Sequence, residues 1–99
     1  MMIVETLTTL SADGSADIEV DTAGYGDGHP EAILQVNITG TITIQVLGSL
    51  DDDVYVELLA ANAADQLAAV VLLPFYRFTA SGTSGGTAEI KIGRNGTRP

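Results

Sequence analysis

The sequence predicts an all-β fold, a single small antiparallel β-sandwich of jelly-roll-like type spanning residues 1–99. Three observations predict it. Apolar and polar residues alternate at period two through several runs, as strands with one buried face require. The runs are short and separated by Gly-, Ser-, Thr- and Asp-rich breaks, the chemistry of turns. The chain has 99 residues, of which 45% are hydrophobic, enough for one core and one domain.

The clearest strands span 33–38, 41–47, 54–58, 75–80 and 87–92. In the first, Leu34, Val36 and Ile38 share a face, with Gln35 and Asn37 opposite. Thr39-Gly40 breaks the run, which resumes with Ile42, Ile44 and Val46 inward. Two such runs around a short Gly-containing break read as a β-hairpin. Gly48 to Asp53 forms the next break, before a strand carrying Val54, Val56 and Leu58 on one side. Pro74 to Thr79 is aromatic and β-prone. Ser81 to Gly86 reads as a turn before the last alternating run.

The ends and the middle read less simply. Ile3 to Leu7 and Ile18 to Val20 have strand character, and residues 1–9 read as a strand or an N-terminal arm. Asp21 to Pro30 is a long Gly-rich loop, and residues 94–99 a loose C-terminal tail. Leu58 to Val71 is rich in alanine, which favours helix. It has to link two strands quickly, so at most a short helical turn is expected there.

Composition narrows the function classes. The chain has no cysteine, which removes disulfides and thiolate metal sites. Net charge is -9. All thirteen acids lie in the first ninety residues, which hold one base, Arg77; Lys91, Arg94 and Arg98 follow. Such a body repels phosphate backbones and anionic lipid, so neither nucleic acid nor membrane is an expected partner. The basic end is suited to complement a neighbouring acidic surface. The N-terminus lacks a basic region followed by an apolar run, so no signal peptide is read. The stretch Leu67 to Phe78, broken by Pro74 and Arg77, is too short to cross a bilayer.

No constellation specifies catalysis. Gly24 to Pro30 alternates glycines without a dinucleotide or phosphate-loop pattern. Its Tyr25 supplies contact area at low entropy cost. Tyr25, Asp27 and His29, with Arg94 and Arg98 of the basic end, are the candidate partner-binding residues. His29 is the only histidine, and with Asp27 and Glu31 it specifies a metal site poorly. Asp51, Asp52 and Asp53 lack the spacing of a calcium loop and read as a charged turn that also guards against edge pairing. No cofactor, no metal and no enzymatic activity are expected.

Gly48-Ser49-Leu50-Asp51, Tyr55-Val56-Glu57-Leu58, Tyr76-Arg77-Phe78 and Ser81-Gly82-Thr83 form a pattern spread over about half of the chain. This pattern resembles small β-sandwich virion proteins of tailed bacteriophages. The chain departs from it at Asp52-Asp53 and in its Ala-rich connection. The resemblance implies a non-enzymatic virion protein, made in the host cytoplasm and located on the capsid surface. Its expected role is capsid decoration (cement), with the major capsid protein as partner and self-association as a homotrimer. The alternative is a tail or fibre domain that binds host protein or glycan. Surface scaling favours cement: a 10.2 kDa domain exposes roughly 5,300 Å², and each partner in a standard interface takes about 800 Å².

Overall fold

The computed structural model describes residues 2–20 and 31–95, and the side chains of 3–20 and 31–94. Six strands follow in order: β1 (Met2–Leu10), β2 (Gly14–Glu19), β3 (Glu31–Ser49), β4 (Val56–Asn62), β5 (Gln66–Val71) and β6 (Phe75–Asn95). All pairings are antiparallel, and none of the described residues is helical.

Two strands dominate. β3 has 19 residues, β6 has 21, and they pair along almost their whole lengths. A straight strand of that length reaches roughly 60 Å, whereas the longest dimension of the molecule is 45 Å. Both strands therefore bend. The hairpin expected over 33–47 is corrected to one continuous strand with a corner at Thr39–Thr43. The turn expected at Ser81–Gly86 is corrected to the matching corner of β6. Local sequence is similar for a turn and a corner. What differs is the partner, since each half of β3 pairs with β6 and not with its other half.

The corner is built from glycine and an unequal step. Gly40 has φ of 76°, a region that side chains with a Cβ avoid. At Gly86 a Cβ would stand 2.2 Å from the carbonyl oxygen of Thr41, so only glycine fits the crossing. β3 takes four steps from Thr39 to Thr43 while β6 takes six from Ser81 to Thr87. A one-residue bulge would turn the following side chains to the other face. An excess of two restores the alternation. Even-numbered residues thus face inward on both sides of the corner: Leu34, Val36, Ile42, Ile44 and Val46 on β3, and Tyr76, Phe78, Ala88, Ile90 and Ile92 on β6, all buried.

The flanking strands divide at the same corner. β1 pairs with the C-terminal half of β6, and β5 with the N-terminal half of β3. β2 and β4 pair with the other two halves. The first sheet is therefore β1–β6–β3–β5, and the second is β2–β6–β3–β4. Counting each bent strand twice gives eight strands in two four-stranded sheets, the jelly-roll arrangement. Three residues, Leu72 to Pro74, link β5 on the first sheet to β6 on the second. They span no more than about 14 Å, so the sheets are folded onto each other. The Tyr76 hydroxyl ties that link, accepting from the Leu73 amide at 3.0 Å and donating to the Val71 carbonyl at 2.7 Å. The amide of Val20 donates to the Pro74 carbonyl at 2.8 Å.

Two further expectations change, and one open choice, strand or arm at residues 1–9, is resolved. The strand expected at 54–58 begins at Val56 and runs to Asn62. The Ala-rich stretch holds β4 and β5 with a turn between, and no helical turn. Pairing with β3 and burial of Val70 outweigh alanine's helical preference. Asp65 in that turn accepts the amide of Ile38 at 2.6 Å, anchoring it near the corner. The N-terminal residues form a strand and not an arm. Met2 to Thr6 pairs with Lys91 to Asn95, so the terminal segments embrace each other.

Candidate interaction surfaces

The two outer faces of the sandwich differ in the side chains they present. On the first sheet, Val4, Gly93, Ile33 and Ala69 stand in one cross-strand row, and Thr6, Lys91, Gln35 and Leu67 in the next. Directly paired residues share a face. Gly93 has no side chain, so a shallow groove opens between Val4 and Ile33, with Leu67, Gln35 and Lys91 on its border. Leu67 is 72% exposed and Val4 62%. Val71, also exposed, extends the apolar surface beside Glu31. Charge is sparse here: Lys91 lies 3.7 Å from Glu89. Contiguous exposed apolar surface of this kind marks interaction sites.

The second sheet carries the acidity. Arg77 is its centre, flanked by Asp17 and Leu47 on the neighbouring strands. The guanidinium donates to both carboxylate oxygens of Asp17, at 2.7 and 3.0 Å. The same guanidinium lies over the Tyr55 ring, 4.0 Å from its centre, a cation–π contact. The Tyr55 hydroxyl donates to Asp52. That bond, with some desolvation, pushes the phenol up to about 12. Hydrogen bonding from Arg77 holds the Asp17 carboxyl below its ordinary value. The β3–β4 turn is thereby strapped across the outer face. Asp17, Glu19 and Asp52 surround a shallow hollow with Ile18 and Phe75. Glu57, on the same side, accepts from Gln45 at 2.6 Å.

The three adjacent aspartates do separate work. Asp51 accepts the amides of Asp53 and Val54 and the Ser49 hydroxyl, at 2.9 to 3.1 Å. The backbone amides of Asp53 and Val54 do most to hold its carboxyl below the ordinary value. Asp52 has a φ of 61° and serves Tyr55. Among the described residues no group of three or more His, Cys, Asp or Glu converges as metal ligands would. A second apolar patch lies at this turn, where Leu50, Val54 and Val56 are exposed beside Leu58 and Leu73.

Of the five candidate partner-binding residues, Tyr25, Asp27, His29 and Arg98 lie outside the described residues. Arg94 does not belong to a loose tail. It lies in β6, its side chain 13% exposed, bonded to Glu5 of β1. It pairs in register with Ala32 and therefore faces the end of the core. Two surfaces went unread in the sequence. The Arg77 cluster had one signal, a lone base in an acidic body. The apolar face had another, the uncharged run Leu67 to Leu73.

No known protein family, curated protein or solved structure matches this chain.

Proposed function

We propose that this protein is a non-enzymatic virion component, a capsid decoration protein that binds the outer surface of the major capsid protein lattice. The observation that carries the binding role is the outer face of the first sheet. Val4, Ile33, Leu67 and Val71 stand exposed there, on rigid paired strands and with little charge. A flat, preformed apolar face loses little entropy on docking. The sandwich face, about 30 Å by 19 Å from strand rise and spacing, supplies roughly seven-tenths of the roughly 800 Å² that one partner contributes to a standard interface.

The acidic second sheet then faces away from the lattice and supplies solubility. The fold supports the virion setting by analogy, since jelly rolls recur in capsid proteins and in lectins. The sequence pattern at Gly48–Leu58 and Tyr76–Thr83, which resembles tailed-phage virion proteins, supports it independently. The test is cosedimentation with expanded, undecorated tailed-phage heads. Saturable pelleting of the protein is expected. Protein that remains in the supernatant at every ratio would defeat the reading.

A further inference from the structure

We propose that the free edge of β5 pairs with the β5 edge of a second copy, joining two first sheets about a twofold axis. The sandwich has four edge strands among the described residues, and three are guarded. β1 carries Glu5 and a register shift between Thr6 and Thr8. β2 carries Asp17 and Glu19. β4 carries Glu57 and two register shifts against β3. Charges and bulges are the usual means of blocking edge pairing.

β5 has neither. Gln66 to Val71 is uncharged and pairs with β3 through six consecutive residues without a shift. Among the described residues only β3 pairs with it. By antiparallel alternation, about three of its residues turn their N–H and C=O away from β3. These groups form a straight row of donors and acceptors. A second copy is the occupant that this edge fits. Copies carrying -9 each repel over most approaches, but the uncharged run Gln66 to Val71 brings no like charges face to face. An antiparallel strand is also complementary to itself, as a twofold interface requires.

Geometry narrows the register. The axis stands perpendicular to the joined sheet, so outer faces stay outer. Odd-numbered residues must then meet odd-numbered residues. The alignment that pairs Leu67 through Val71 places Ala69 opposite its own symmetry mate, with Leu67 opposite Val71. The result is one eight-stranded sheet, β1–β6–β3–β5 continued through the same strands of the partner in reverse. Its two apolar faces merge on one side. The inference rests on the edge alone and stands or falls independently of capsid binding.

The test uses the full chain and two variants. Sedimentation equilibrium over a concentration series is expected to show wild type moving from 10.2 kDa toward twice that mass. Ala69→Lys sets two like charges opposite each other and is expected to stay monomeric with an unchanged far-ultraviolet circular dichroism spectrum. Ala69→Cys, which supplies the chain's only cysteine, is expected to crosslink into dimers under mild oxidant. Its Cα separation of about 4.5–5.5 Å across the pair suits a disulfide. Val54→Cys, exposed on the second sheet's turn, is expected to crosslink at most slowly. A wild type that is monomeric throughout, or trimeric, overturns the proposal. So does equal crosslinking at positions 54 and 69. If Ala69→Lys fails to fold, the contrast between the two cysteine variants decides.

Discussion

Replacing Tyr76 by phenylalanine removes one oxygen from the closure of the sandwich and leaves the ring in place. The ring is fully buried and stacks beside Phe78, with centroids 6.2 Å apart. The hydroxyl joins the Leu73 amide to the Val71 carbonyl, so its loss strands a donor and an acceptor in the link between the sheets. A hydrogen bond contributes about 1 kcal/mol net, and a buried group left unpaired costs about 1–3 kcal/mol. Both bonds are part-buried and Val71 is exposed, so water takes up part of the loss and Tyr76→Phe is expected to cost about 1–2 kcal/mol. For a domain of this size that lowers Tm by roughly 5–15 °C. Urea denaturation followed by circular dichroism reads the free energy, and the slope with denaturant is expected to stay constant. Amide exchange at Leu73 is expected to accelerate more than exchange at Ile90, deep in the core. A loss below about 0.5 kcal/mol, the scale of an ordinary surface change, would refute the claim that this hydroxyl closes the fold.

Two pH predictions follow from the β3–β4 turn. The Asp51 carboxyl is depressed by the amides of Asp53 and Val54. Its contribution to stability is present above the unfolded value near 3.9 and disappears as pH falls through the folded value. Tm measured below about pH 4 is thus expected to fall less steeply in Asp51→Asn than in wild type; equal slopes would contradict the assignment. Tyr55 is expected to ionise near 12 by ultraviolet titration. Asp52→Asn, which removes the carboxylate acceptor, is expected to bring that phenol back toward 10.0, and an unmoved curve would contradict the Tyr55–Asp52 bond.

The alternation of apolar residues was enough to place the core. Leu34, Val36, Ile42, Ile44, Val46, Ile90 and Ile92 are inward as their spacing requires. The connectivity was not legible, because a glycine break looks alike in a hairpin and at a sheet corner. Only the pairing of residues far apart in sequence, such as Ile33 with Gly93, separates the two. The second half of β4 and all of β5 were hidden by alanine, whose helical preference yields to the pairing offered by β3. Arg94 looked like part of a solvent-exposed basic end because its partner, Glu5, lies 89 residues away. The outer apolar face was equally hidden. Val4, Ile33 and Leu67 belong to three different strands, and no local pattern announces that they share a surface.

The central claim is that this surface is adhesive. The most direct measurement is cosedimentation of three proteins with expanded, undecorated heads: wild type, Val4→Asp/Ile33→Asp and Arg77→Gln. The double variant places two carboxylates on the apolar face and leaves the β5 edge untouched. Arg77→Gln alters the opposite sheet. The account predicts that wild type and Arg77→Gln pellet to the same saturating ratio while the double variant, folded by circular dichroism, stays in the supernatant. Equal pelleting of all three, or of none, would contradict it.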